Sequence, residues 1–378
     1  MIYFDNASTT PIDPRVLDEM LPNFKDKFGN ASSVHSFGRE SKVLLEDARD
    51  VIAEYIGASS SEIYFTSGGT EANNFAIKGI AFSHLGNKNH IVTTKIEHSA
   101  VLDSLEYLHK RFGFKITYLN VNRFGEIDLN ELGDSLTEKT FLLCVMHSNN
   151  ELGIINDIKA IAEVCSSKEI YLHTDSVQSI GKTNFNIEDL NCSTATMSAH
   201  KIYGPKGIGA LFIKKDTLTD KFIHGGKQER DRRGGTENIA AIAGFKNAVE
   251  ILKDEMEYDI AHYKKLKHTL ITSLKENFSV KIILNSKEDE NSLPNIVNIS
   301  FDHKKFNIDA ETILMKLDMN GIAVSSGSAC TSGTIQQSHV LKAIGANDIA
   351  AKSSLRISFG RFNVEEDVEN FVSALKKL

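Results

Sequence analysis

A repeating rhythm constrains this chain more than any other feature. From about residue 60, short apolar runs alternate with longer amphipathic stretches. EIYFT precedes a helical pattern from about Thr70, and HIVTT precedes one containing Val101, Leu102, Leu105 and Leu108. KITYLNV, TFLLCVM, IYLHTD, TATMSA and GALFIK follow as further strand-like runs, several separated by helical patterns. This alternation predicts an α/β chain with a mainly parallel sheet and helices on both faces.

The flanks differ. Asp13 and Pro14 read as the N-cap and first position of a helix reaching about Phe28. Val43, Leu44, Ala48, Val51, Ile52, Tyr55 and Ile56 recur at helical spacing, and Gly57 ends that helix. From about Glu255 a long charged amphipathic helix runs to about Phe278. VKIIL, NIVNISF, a helix near 308–319, IAVSS and a final helix after Asn363 follow. This last stretch reads as a smaller α+β domain. At about 150 residues per domain, 378 residues suggest two or three domains.

A net charge of −7 argues against a general nucleic-acid or anionic-membrane surface. No apolar run approaches the ~18 residues of a membrane helix, and MIYFDNASTT lacks the basic and apolar parts of a signal peptide. Four cysteines, Cys144, Cys165, Cys192 and Cys330, are widely spaced with no Cys-x-x-Cys pair. That excludes a disulfide framework and a zinc ribbon, so no resident metal is expected. Cys144 and Cys165 sit in apolar periodic segments and read as buried hydrophobes. Free thiols fit a reducing cytosol, so a cytoplasmic location is expected. Cys330 is different: SSGSACTSG, Ser325 to Gly333, surrounds it with small polar residues and glycine.

Four further stretches place polar groups just after apolar strands, where open α/β sheets bind ligands. In SAHKIYGPKG, Lys201 is either a solvated charge or an amine held in a site. A desolvated lysine becomes nucleophilic near neutral pH. In HTDSVQ, Asp175 either caps the next helix or pairs with a protonated pyridine nitrogen. In FTSGGTEANN, a glycine turn opens a helix whose free N–H groups, with Thr70, suit a phosphate. It lacks the lysine of a P-loop. KIEHSAV and HSNNELG supply His98, His147, Asn149 and Asn150.

Taken in order, SGGTEANN, His98, NNELG, Asp175, Gln178, Lys201, RRGGTEN and SSGSACTSG resemble the cysteine desulfurases, of the aminotransferase class V branch. The resemblance runs from YFDNASTTPID to SSLRISFGRF, nearly the whole chain. The longer cysteine motif is similar to that of group I. The resemblance implies a fold-type I pyridoxal-phosphate-dependent transferase. It would have a seven-stranded cofactor-binding α/β domain over residues 15–256. Residues 1–14 and 257–378 would form a small α+β domain carrying a mobile catalytic-cysteine loop at about 325–335.

It also implies roles. Lys201 would hold pyridoxal 5′-phosphate covalently, Asp175 would pair with its pyridine nitrogen and Gln178 with its phenolic oxygen. His98 would stack on the ring and act as a catalytic residue by moving protons. Gly69, Thr70, Ser198 and His200 would hold the phosphate, with Thr236 of a second copy completing the site in a homodimer. Asn150, rather than Asn149, would contact cofactor or substrate. Arg356 would clamp the carboxylate of L-cysteine, and Asn30 would help orient it. Cys330 would take the sulfur as a persulfide and pass it to a protein acceptor, an iron-sulfur scaffold or a tRNA-thiolating enzyme. Transient iron-sulfur contact at Cys330 stays open. No direct nucleic-acid or membrane contact is implied. Two features depart from the family pattern: Ala31 stands where proline is usual, and the chain stops soon after its last helix, which bears on the scaffold partner. Rival readings are a selenocysteine lyase, another class V aminotransferase, and an inactive sulfur-relay platform. The platform reading would be expected to lack Lys201, Asp175 or Cys330, and all three are present.

Overall fold

The computed structural model describes residues 1–278, 282–301, 310–326 and 337–377. A short strand β1 (Ile2–Tyr3) precedes the apolar runs. Those runs form β2 (Ile63–Thr66), β3 (His90–Thr94), β4 (Lys115–Leu119), β5 (Thr140–Cys144), β6 (Tyr171–Asp175), β7 (Thr194–Ser198) and β8 (Gly209–Ile213). They make one sheet in the order β2-β8-β7-β6-β5-β3-β4. The pairs β3–β4, β3–β5, β5–β6 and β6–β7 are parallel, whereas β8 runs antiparallel to both β7 and β2. The reversal has a simple cause. The connection 199–208 is shorter than the roughly dozen residues a parallel crossover needs.

Local chemistry sets the helix ends. Helix α1 (Pro14–Lys25) starts with Asp13 accepting from Arg15 N, and it stops short of the expected Phe28. Helix α2 (Ser36–Ile56) ends at Gly57, whose φ of +71° lets its N–H reach the carbonyls of Ala53 and Glu54. Helices α3 (Gly69–Ser83) and α4 (Ser99–Phe112) follow β2 and β3.

The long helix spans Ile239–Phe278, 40 residues, and begins well before the expected Glu255. Its first part buries Ile242, Phe245, Val249 and Leu252 in the core of the large sheet. A segment apolar on most faces shows no amphipathic contrast, which hides it from periodicity. Its second part buries Tyr263, Leu266, Leu270 and Leu274 in a separate core. The expected boundary at 256/257 thus falls inside one continuous helix, where it passes between cores.

That second core lies against β9 (Ile282–Leu284), β10 (Ile296–Phe301) and β12 (Ser354–Ser358), an antiparallel sheet in the order β12-β10-β9. Strand β1 pairs in parallel with β11 (Ile322–Ala323), and Phe4 joins this core. Val297, Ile299, Leu355 and Ile357 face the core. By the two-residue strand period, Asn298, Ser300, Ser354, Arg356 and Ser358 share the opposite, polar face. Among the described residues, no helix is long and apolar enough to cross a membrane.

Candidate active site

The carboxyl ends of β2, β3, β5, β6 and β7 meet along one edge of the large sheet. Asp175 is the last residue of β6 and Ser198 the last of β7. Lys201 closes the short turn after β7, His98 is the N-cap of α4, and Gly69 opens α3. Gly209 pairs with both Ser198 and Thr66. A Cβ there would lie 2.9 Å from Gly68 Cα, so glycine lets the α3 turn press onto the sheet.

Lys201 donates from Nζ to the carbonyls of Ala7 and Ser8, each at 2.6 Å. Burial lowers its amine to about 7, helped by Arg356 and Lys182 and opposed by Asp5 and Asp175. A surface lysine titrates near 10.4, so this one is a usable nucleophile and proton carrier at neutral pH.

Asp175 is held from below. Asn73 donates to its Oδ2 at 2.7 Å, and Val177 N donates to Oδ1 at 3.1 Å. Asn73 Oδ1 also meets His173 Nε2 and Thr196 Oγ1. Burial lowers His173 to about 4, with Asp175 opposing, so its ring is neutral at pH 7. Gln178 donates to Ala7 O at 2.8 Å, while its Oε1 is buried without a partner.

His98 accepts from Ala100 N through Nδ1 at 3.1 Å. In the neutral ring the proton therefore sits on Nε2. The preceding Glu97 is buried, and burial raises its carboxyl to about 8 despite a hydrogen bond from Thr94.

An open cavity of about 330 Å³ is lined by Thr9, Gly68, Thr70, Ser198, His200 and Lys206, among others. The α3 N-terminus has no side-chain cap, no atom lies within 4 Å of a Cβ built on Gly68, and Ser198 Oγ is buried without a partner. Free N–H groups, two hydroxyls and a lysine make this a cradle for a phosphate. Burial, with Lys201, Lys206 and Lys182, lowers His200 to about 4, so it is neutral there.

Arg356 reaches the same edge from β12. Its guanidinium donates to Asn150 O at 3.0 Å, Asp5 Oδ1 at 2.8 Å and Ser8 Oγ at 2.6 Å, and its buried Nε is unpartnered. A buried guanidinium with a free donor suits a carboxylate. Asn149 is fully engaged: Oδ1 accepts from Glu151 N and Leu152 N, and Nδ2 donates to Ile96 O. Asn150 is half-buried with its side chain uncommitted.

Other expected residues are not brought together. Asn30 is exposed, and its Oδ1 accepts from Ser32 N and Oγ. Thr236 is exposed outside the cavity, on a segment that Arg233 ties to Glu71 of α3. Cys330 and most of its loop lie outside the described residues. The loop's two stems are fixed, Ser325 by bridging to Arg356 and Ser338 by donating to buried Glu151 at 2.5 Å. His339 meets Glu97 O at 2.9 Å.

Sequence reasoning missed the strap at residues 5–9, whose carbonyls receive Lys201 and Gln178. It also missed Asn73, although SGGTEANN contains it. The other three cysteines are buried. Burial raises Cys144 well above its ordinary value, and Cys165 and Cys192 to about 12. None is a reactive thiol. Among the described residues no group of acidic, His and Cys side chains could hold a metal ion.

The aminotransferase class-V family model matches residues 2–371. The chain is 43% identical over 377 residues to the cysteine desulfurase IscS of Dictyoglomus turgidum, covering 100% of this chain and 94% of that one. A solved NifS-like protein superposes with a TM-score of 0.92 at 38% identity, covering 100% of this chain and 98% of that one. A structure described as SspA in complex with cysteine gives 0.81 at 33% identity, covering 96% and 100%.

Proposed function

We propose that this chain, which belongs to the aminotransferase class-V family, is a cysteine desulfurase using pyridoxal 5′-phosphate. It converts L-cysteine to L-alanine and carries the sulfur on Cys330. The observation that carries this reading is one edge holding a desolvated lysine, a buttressed aspartate, a phosphate cradle and a buried arginine with a free donor. Those groups fit the cofactor. The α3 N-terminus, Thr70, Ser198 and His200 would hold its phosphate, Asp175 its ring nitrogen, Gln178 its phenolic oxygen and Lys201 its carbonyl carbon. His98 would lie on the ring. When bound, the cofactor supplies an electron sink for a carbanion next to the amino group.

The chain's own residues do the rest. Arg356 receives the substrate carboxylate, with Asn150 beside it, and so fixes which bond at Cα is exposed. Lys201, with its amine near neutrality, takes a proton and later returns one. The Cys330 thiolate attacks the substrate sulfur. An S–S bond forms, the C–S bond breaks, and the carbon keeps the electron pair and gains a proton. L-cysteine and a thiol thus become L-alanine and a persulfide, with no outside oxidant. The persulfide passes to a protein acceptor that builds iron-sulfur clusters or thiolates tRNA. We infer a homodimer in which Thr236 completes the partner's phosphate site, residues 15–256 and the two flanks acting as separate domains, and a cytoplasmic location suited to free thiols.

The test is Cys330→Ala. It should bind the cofactor with unchanged absorbance and form no sulfide or L-alanine from L-cysteine. Sulfide release at the wild-type rate would overturn the assignment of Cys330. Pyruvate-dependent transamination by the wild type, without alanine from cysteine, would favour an aminotransferase.

A further inference from the structure

A second lysine lies behind the site. Lys182 ends the turn that follows β6 and is 6% exposed. Its Nζ donates to the Lys201 carbonyl at 3.1 Å and to the Ile180 carbonyl at 3.5 Å. No carboxylate of the described residues is hydrogen-bonded to it. The turn cannot swing outward: Gly181, at φ +73°, is pressed so close to the long helix that a Cβ would lie 2.8 Å from Leu252 Cδ2. Bridging two carbonyls needs only a neutral donor. Burying an ammonium there is far more costly, so its charge calls for a role.

We propose that Lys182 is a positioning residue for Lys201. It grips the Lys201 carbonyl, and its fixed buried charge repels a second ammonium, keeping the Lys201 amine in the neutral form. The groups facing Lys201 make the balance plain. Arg356 from β12 and Lys182 from the β6 turn disfavour its charged form, while Asp5 from the strap and Asp175 from β6 favour it. His200 on its own turn is neutral at pH 7. Burial lowers Lys182 itself to about 8, with Asp259 of the long helix opposing, so it is mostly charged at pH 7. Removing Arg356 would also remove the substrate clamp. Lys182 meets the site through the Lys201 backbone carbonyl, so changing it leaves the cavity-lining side chains in place.

The inference rests on Lys201 being the lysine that carries the cofactor. The experiment separates the two. Cofactor-free protein is mixed with pyridoxal phosphate across a pH series, the adduct is trapped with borohydride, and the modified peptide is identified by mass. If wild-type trapping does not fall on Lys201, the functional reading fails by itself. Given trapping on Lys201, Lys182→Arg should keep the wild-type midpoint. Lys182→Gln and Lys182→Met should move it up by about half a unit to one unit, slowing trapping at pH 7 roughly two- to fivefold. An unchanged midpoint in the neutral variants overturns the proposal. Should neither variant fold, coupling is reciprocal. In Lys201→Met, carbon NMR of labelled lysines should show the Lys182 titration moving up by the same amount, and no movement overturns it.

Discussion

Arg49 and Glu229 form a buried ion pair, each side chain 2% exposed, and breaking it should be unusually destructive. Two guanidinium nitrogens of Arg49 reach the two Glu229 oxygens at 2.7 and 3.0 Å. Arg49 also donates to Ile63 O at 2.7 Å, and Glu229 accepts from Phe65 N at 2.8 Å. The pair therefore binds α2, the edge strand β2 and the 229–231 turn. That turn holds three successive non-glycine residues at positive φ, 44°, 54° and 65°. Each left-handed residue costs roughly 1–2 kcal/mol, so without the pair the turn would relax. Arg49→Met strands a buried carboxylate with one remaining donor, and the expected loss is about 3–5 kcal/mol. The double variant Arg49→Met/Glu229→Met strands Phe65 N, while Ile63 O keeps the Arg230 donor at 3.2 Å, at about 1–3 kcal/mol. It should be more stable than Arg49→Met alone. The chain has no tryptophan, so urea unfolding is best followed by far-UV circular dichroism. A loss below about 1 kcal/mol in Arg49→Met, or single-variant losses that add within about 0.5 kcal/mol, would refute the reasoning. Cofactor affinity gives a second readout. The same turn leads to Thr236, so if Thr236 completes the phosphate site as proposed, Arg49→Met should release pyridoxal phosphate more readily.

Two further outcomes follow from the site. Asn73→Ala removes the donor on Asp175 Oδ2 and the acceptor of His173 and Thr196. A bond to a charged group contributes about 1.5–3 kcal/mol, so kcat should fall roughly tenfold or more. KM should change little, and steady-state kinetics with L-cysteine would show it. Glu97 predicts a pH effect of definite sign. Burial raises its folded carboxyl from 4.5 to about 8, so the folded chain keeps a proton that the unfolded chain releases. Wild-type stability therefore falls as pH rises through that window, and Glu97→Gln, which cannot ionise, escapes the fall. The variant's advantage should grow by on the order of 3 kcal/mol between pH 5.5 and 8.5. An advantage equal at the two pH values in urea titrations would count against it.

Much of this was legible in the chain. Apolar runs marked the strands of the large sheet because all but the edge strand β4 are buried along nearly their whole length. Asp175 and Lys201 stood out as polar residues at or just past the ends of such runs, where a structural reading of each stayed open, and Ser198 entered through the family resemblance. The start of the long helix was hidden because Ile239–Leu252 is apolar on most faces. The reversal of β8 was hidden because a buried strand reads alike in either direction. Asn73 was overlooked because its partners, His173 and Asp175, lie about a hundred residues away (|i−j| of 100 and 102). The strap escaped because its contribution is backbone carbonyls, which any residue supplies. Lys182 escaped for a related reason: nothing near it in sequence shows that its ammonium is buried behind Lys201.

The strap also bears on when this protein becomes complete during its synthesis. Asp5 meets Arg356 across 351 residues, and Ala7 receives Lys201 across 194. Residues 1–10 leave the ribosome long before their partner strand β12 (Ser354–Ser358) does. The large sheet can form around its own core while the strap waits, unpaired, for both β7 and β12. Contacts of such span close slowly, and large chains expose sticky intermediates meanwhile. Phe4 is fully buried in the finished fold, against residues of β10 and β12, so the nascent chain must keep this apolar side chain from straying until β12 has been made. A chain lacking β12 would leave the strap without Arg356, its partner at Asp5 and Ser8.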